Sequence, residues 1–200
     1  MNKLLKNYLA VAVLSFMSVP AFAGLSAGLD SDYLFRGVSQ TDGSQSAWVD
    51  YNHMFGESGF MVGAWIGQID LADGSDLETD LYGGWSNGDW TVGYIDYGYN
   101  GDADLDGGEI FISKSVMGVS VEYYMGQDDY TDYLELGHSI MGVDVSYGMW
   151  EDVGDNLTLS KSFDLPMGLE GSLSFVSFMA DDDSMMKDED SFVFGVSKSF

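Results

Sequence analysis

Tyr133-Leu134-Glu135-Leu136-Gly137-His138-Ser139-Ile140-Met141-Gly142-Val143-Asp144-Val145-Ser146-Tyr147-Gly148-Met149-Trp150 alternates apolar and polar residues, and breaks step once, at Met141-Gly142. A helix would scatter Val143, Val145, Tyr147 and Met149 around its circumference. A strand sets all four on one face and Asp144, Ser146, Gly148 and Trp150 on the other. Two such strands joined by a tight turn form an antiparallel hairpin.

The same period of two recurs in both directions from this hairpin. Val119, Val121, Tyr123 and Met125 alternate with Ser120, Glu122, Tyr124 and Gly126, and Leu77 to Ser86 behaves likewise. Reading on this basis predicts twelve strands, at 25–36, 44–54, 59–70, 77–86, 90–99, 109–116, 119–126, 133–140, 143–150, 156–163, 169–180 and 192–200. Five connections are tight: 55–58, 87–89, 117–118, 141–142 and 164–168. Longer polar loops such as 100–108 and 181–190 fall between them, so short and long connections are expected to alternate along the chain.

That alternation is what a transmembrane barrel requires, with short turns on the periplasmic side and longer loops outside. A ten-residue strand rises about 33 Å and, tilted by about 45°, spans about 23 Å, close to the apolar band of such barrels. Soluble strands stop nearer five or six residues. The fold class expected is an all-β, antiparallel up-and-down barrel of about 12 strands, with 10 or 14 as fallbacks.

The N-terminus agrees with export. Lys3 and Lys6 precede a short apolar run that ends at Pro20, and Ala21-Phe22-Ala23 carries small residues where a signal peptidase reads. Residues 1–23 are therefore expected to be a secretory signal peptide and 24–200 the barrel. The run is too short to span a bilayer. With no cysteine there is neither a lipoprotein anchor nor a disulfide framework.

Beyond residue 23 the bases are Arg36, Lys114, Lys161, Lys187 and Lys198, against 33 acids. So acidic a chain repels nucleic acid, which is excluded as a partner. Disorder is excluded as well, because 14% of the residues are aromatic and 46% hydrophobic. Lys114, Lys161 and Lys198 fall on the apolar face of their strands, each near a predicted periplasmic end. There a lysine costs about 0–1 kcal/mol rather than the about 2–4 of mid-membrane, because its stem lies in hydrocarbon while the ammonium reaches headgroups. They are expected to be interface anchors.

Ser31-Asp32-Tyr33-Leu34-Phe35-Arg36-Gly37-Val38-Ser39-Gln40-Thr41, with Glu57-Ser58-Gly59-Phe60 and Val196-Ser197-Lys198-Ser199-Phe200, resembles the TorF family of outer-membrane porins over essentially the whole exported chain. The resemblance implies a porin of the bacterial outer membrane, exported through the periplasm, that passes small solutes. The family's assignment rests on its fold and carries no known substrate. The ending, with Phe192, Phe194, Val196 and Phe200 at alternate places, also resembles the terminal strand that the barrel assembly machinery recognises. Phe200 is the expected assembly signal, and Lys198 stands where a large apolar residue is usual.

On the face opposite the apolar set lie the expected channel-lining residues: Asp30, Asp32, Arg36, Asp50, Glu78, Asp80, Glu122, Glu135, Asp144 and Glu170. Rings of Asp and Glu favour cations. Arg36 is either the one positive point in an acidic channel or half of an ion pair that plugs it. Both faces carry aromatics around Trp65 and Tyr97, which leaves their orientation open.

Other chemistry is weaker. Asp102-Ala103-Asp104-Leu105-Asp106-Gly107 begins like a calcium loop, but its twelfth position is Ser113 rather than Glu. The acidic loops read as solvated runs, with no cofactor and no metal site expected. His138 beside Ser139 and Glu135 could suggest a lipid hydrolase, but neighbouring strand residues point to opposite faces, so no enzyme is expected. The alternative to a porin is a narrow barrel filled by side chains such as Tyr82, Tyr124 and Trp150. Such a barrel would serve a structural or surface role, with its loops bridged to lipopolysaccharide by divalent ions.

Overall fold

A computed structural model describes residues 24–101, 105–127 and 130–200; the expected signal peptide, residues 1–23, lies outside them. Twelve strands close into a barrel. They are β1 (Gly24–Asp30), β4 (Ser46–Met54), β5 (Phe60–Gln68), β6 (Leu77–Ser86), β7 (Trp90–Tyr99) and β8 (Gly107–Val116), followed by β9 (Val119–Gln127), β10 (Tyr133–Ile140), β11 (Val143–Trp150), β12 (Gly154–Leu165), β13 (Leu169–Ala180) and β14 (Glu189–Ser199). Each pairs antiparallel with its sequence neighbours. β1 pairs β14, from Ser26 opposite Ser199 to Asp30 opposite Gly195, and Phe200 N–H donates to the Leu25 carbonyl. Closure leaves no edge strand unpaired.

The pleat sorts the side chains as their alternation requires. On β6, Leu77, Leu81 and Trp85 are exposed on the outside, while Glu78, Asp80 and Tyr82 are buried inside. Leu29, Phe60, Ile110, Leu173 and Phe192 likewise stand on the outer surface. The buried hydrophobic residues lie within the barrel and are mostly aromatic. Trp65 and Tyr97, the two ambiguous positions, both belong to that interior cluster. No described helix is long and apolar enough to cross a membrane.

Five short connections gather at one end of the barrel, at 55–59, 87–89, 117–118, 141–142 and 166–168, together with Gly24 and Phe200. The longer ones, 31–45, 69–76 and 181–188, gather at the other, as do the described residues between β7 and β8 and between β9 and β10. The expected alternation fails at 151–153, a three-residue connection at the loop end. There β12 begins at Gly154, two residues earlier than predicted, because Val153 turns inward and is buried.

The larger correction concerns the first strand, expected over 25–36. β1 ends at Asp30, and residues 31–45 fold as a separate segment carrying a small hairpin, β2 (Leu34–Phe35) with β3 (Val38–Ser39). Its two turn residues, Arg36 at φ 45° and Gly37 at φ 91°, have the left-handed backbone of a two-residue hairpin turn. A strand cannot pass through such angles. The segment's alternation is therefore that of a hairpin within a loop, not of a continued barrel strand. Asp32 and Arg36 consequently do not lie on a barrel strand at all.

Candidate functional site

The 31–45 segment occupies the loop-end half of the lumen, with Tyr33, Phe35, Arg36 and Gln40 buried there. Asp32 organises it: one carboxylate oxygen accepts from Ser39 Oγ and Thr41 Oγ1, both at 2.7 Å, and Tyr33 N–H donates to Thr41 Oγ1 at 3.1 Å. Asp70 N–H, in the neighbouring loop, donates to the Gln40 carbonyl at 2.7 Å. At the tip, Gly37 passes so near β12 and β13 that a Cβ there would lie 2.9 Å from Asn156 Cβ and 3.1 Å from Phe178 Cβ. Only glycine accommodates both that approach and the positive φ.

Arg36 is the centre of the plug. Its Nη2 donates to both carboxylate oxygens of Glu109 on β8, at 2.9 and 2.7 Å, with both side chains almost wholly out of solvent. Tyr97 Oη donates to the same carboxylate at 3.1 Å. The guanidinium lies 4.1 Å from the Tyr133 ring centroid and 4.9 to 5.3 Å from those of Phe35, Tyr124 and Trp150. Nε and Nη1 make no hydrogen bond, so their surroundings are these ring faces, whose negative quadrupoles suit a cation. Burial works against the Arg36 charge, but Glu109, with Tyr97 and Tyr133, more than offsets it and holds the pKa above its ordinary value. Burial, then Glu78 and Asp80, push the Tyr33 phenol well above its usual range, so it stays neutral.

Below the plug is a vestibule of about 790 Å³ toward the turn end. Asp30, Asp50, Glu122, Glu135, Asp144 and Glu170 line it from the barrel strands, and Asp32 and Arg36 from the plug. Several of these carboxylates are held by neutral donors. Trp48 Nε1 donates to Asp30 at 2.7 Å, Tyr82 Oη to Asp50 at 2.8 Å, Tyr124 Oη to Glu122 at 2.9 Å and Tyr133 Oη to Glu135 at 3.0 Å. Serines fill much of the remaining wall, among them Ser26, Ser120, Ser146, Ser160 and Ser197. Glu78 and Asp80 share the inward face but not the vestibule. They are buried beside the plug, and Glu78 accepts from Tyr99 Oη at 3.0 Å.

Sequence reasoning missed Glu109. The signal was there, because it shares inward parity with Phe111, yet nothing local distinguishes a carboxylate that meets an arginine from one that meets water. Of the aromatic cage, Tyr124 and Trp150 were expected in the lumen, while Phe35 and Tyr133 were not; its rings come from the plug, β9, β10 and β11.

On the outside, Lys114 Nζ lies 4.3 Å from the Trp90 ring centroid. Lys198 Nζ lies 5.5 Å from that of Phe200 and donates to the Met167 carbonyl at 3.5 Å. Lys161, opposite Leu173 on β13, is exposed on the same outer face. Phe200 is exposed beside the β1–β14 closure. His138 and Ser139, consecutive on β10, stand on opposite faces, and the His138 ring bonds the Gly118 carbonyl. His53 packs edge-on against Phe55. Part of the acidic loop beginning at Asp102 lies outside the described residues. Among the described residues no three His, Asp or Glu side chains are placed to hold a metal ion.

Residues 18–199 match the model of a family described as "Bacterial protein of unknown function (Gcw_chp)". No curated protein matches the chain. Among solved structures, the KdgM porin is similar with a TM-score of 0.57 at 10% identity, covering 88% of this chain and 99% of its own. The COG4313 outer membrane channel from Pseudomonas putida F1 is similar with a TM-score of 0.50 at 10% identity, covering 96% and 100%. At such identity the likeness is one of fold.

Proposed function

The chain belongs to the Gcw_chp family, whose description assigns no function, and from that premise we propose that it is an outer-membrane porin for passive diffusion of small, preferentially cationic solutes. The observation that carries this reading is the carboxylate-lined vestibule inside a closed barrel with an apolar outer surface. Such a surface belongs in lipid, and a barrel is one of the two structures that satisfy every backbone group there. The names of the two similar structures, a porin and an outer membrane channel, point the same way, as does the resemblance to TorF porins. In this reading residues 1–23 direct export, the turn end faces the periplasm, and the assembly machinery reads the strand ending at Phe200. Lys114, Lys161 and Lys198 sit at the inner headgroups, while the loop end meets lipopolysaccharide.

Six wall carboxylates with no wall cation among the vestibule residues supply the cation bias. Passage then requires the 31–45 segment to shift, since it occupies the lumen between Glu109 and the aromatic cage. The buried Arg36–Glu109 pair favours a second reading, a filled barrel with a structural or surface role. Planar-bilayer recordings separate the two. Discrete steps with a cation-positive reversal potential support the porin. Folded protein silent both as wild type and after the plug is loosened removes the porin and leaves the filled barrel.

A further inference from the structure

Beside the plug, two carboxylates meet out of reach of solvent. Glu78 and Asp80 lie two residues apart on β6, so the pleat turns both inward, and they are 0% and 1% exposed. Their carboxyls meet side chain to side chain. Glu78 Oε1 accepts from Tyr99 Oη at 3.0 Å, but Glu78 Oε2 and Asp80 Oδ1 are buried with no donor. The plug adds a third such atom. Tyr33 Oη, carried on the 31–45 segment, bears on Glu78 and likewise makes no hydrogen bond.

The surroundings do not supply a counter-charge. Arg36 is the one base of the plug, and Glu109 holds it. Asp50 on β4 and Glu109 on β8 bear on Asp80 with further negative charge. The other titratable neighbours are phenols: Tyr82 on β6 itself, Tyr97 and Tyr99 on β7, and Tyr130 between β9 and β10. From β5 comes Trp65, opposite Asp80, with no titratable group. An ionised carboxylate can only accept hydrogen bonds, whereas a protonated one has an O–H to give. Two ionised carboxyls side by side would leave both free oxygens unsatisfied and set like charges together away from water, which is costly on both counts. One hydrogen between them removes both faults.

We propose that Glu78 and Asp80 hold a single proton between them, as an Asp80 O–H donating to Glu78, and that this shared proton latches the 31–45 plug to the wall. Glu78 is then the one anion of the pair, and it faces the hydroxyls of Tyr99, Asp80 and, from the plug, Tyr33. Taking the proton away adds a second charge that only water could stabilise, and the plug is the part of the site able to leave. Seating is therefore favoured at low pH and lost as pH rises. The limit for one proton is about tenfold in the released population per pH unit.

The test uses the placement of bases along the chain. Arg36 is the only Lys or Arg between residues 7 and 113, so trypsin can cut that stretch only at the tip of the plug, where Arg36 is buried. With folded barrel in detergent, cleavage at Arg36 should be slow in mild acid and rise by up to about tenfold per pH unit into mild alkali. Rates are taken relative to a free peptide of residues 31–45, which corrects for the protease's own pH profile. Asp80→Asn keeps a donor beside Glu78 that cannot be titrated away, so its cleavage should stay slow and flat. Infrared difference spectra of wild type against Asp80→Asn at neutral pH should show the C=O stretch of a protonated carboxyl, and Asp89→Asn, in an exposed turn, should leave that band in place. Heat-modifiable migration verifies that each variant folds. The proposal is overturned if the spectra show only ionised carboxylates, or if wild type and Asp80→Asn have the same pH profile. It is also overturned if the purified barrel retains a metal ion whose removal by a chelator speeds the cleavage, since that ion would then balance the pair. None of these readouts needs conductance, so the result is independent of whether the barrel passes solutes.

Discussion

Arg36 and Glu109 meet across the lumen, through two hydrogen bonds of 2.7 and 2.9 Å that link a turn of the inserted segment to the wall strand β8. The contact spans 73 residues of sequence and ties the inserted segment to the barrel wall. In the proposed channel, this pair would hold the plug in place.

Glu109→Ala should release the plug. Removing one partner of a buried pair strands the other charge, at a cost of about 3–5 kcal/mol. The 31–45 segment can escape that cost by leaving the lumen, while the closed ladder keeps the wall intact. Single-channel recordings should show larger or more frequent openings, with unchanged heat-modifiable migration. The double variant Arg36→Met with Glu109→Leu removes both charges and should restore wild-type conductance. If Glu109→Ala and wild type record identically, the plug is not held by this pair.

Gly37→Ala should loosen the same segment from its tip. The added methyl would sit 2.9 Å from Asn156 Cβ on a backbone with φ 91°, a conformation that disfavours an L side chain by about 1–2 kcal/mol. Limited proteolysis should cut within 31–45 faster than in wild type, and the near-ultraviolet signal of Trp150, which packs on Phe35, should change. Equal cleavage rates would contradict the described seating of the tip.

If the vestibule supplies the proposed cation bias, neutralising its carboxylates should weaken that bias. Glu122→Gln and Glu135→Gln keep the hydrogen bonds from Tyr124 and Tyr133 while removing charge. In a salt gradient the reversal potential should move toward zero, further in the double variant than in either single one. The difference should shrink at high salt, where screening is effective over a few ångströms. A reversal potential that ignores both substitutions would place selectivity elsewhere.

The outer surface should show a depth profile. Leu81→Arg, in the middle of β6, should destabilise the bilayer-embedded barrel by about 2–4 kcal/mol, and Val116→Arg, at the end of β8, by about 0–1. Denaturant titration of protein folded into vesicles reads both values. Equal costs would mean that the apolar surface does not sit across a membrane as proposed.

The alternation of residues by itself determined the all-β class, twelve strands, the inward and outward faces, and the tight turns at Met117-Gly118 and Met141-Gly142. These follow from local physics: the pleat has a period of two, and turn residues interrupt it within a few positions. Only the tertiary structure decided that 31–45 leaves the wall and fills the lumen. Asp30, Asp32 and Arg36 share one parity, and a hairpin folded inward alternates as a strand does, so period alone cannot separate them. What turns the chain aside is the positive φ at Arg36 and Gly37, together with the room between Asn156 and Phe178 that only a glycine can enter. The partners of Arg36 come from β8, β9, β10 and β11 and become neighbours only once the barrel has closed. Whether a carboxylate such as Glu109 or Glu122 faces a guanidinium or an open vestibule is set by that closure, not by the residues beside it in the chain.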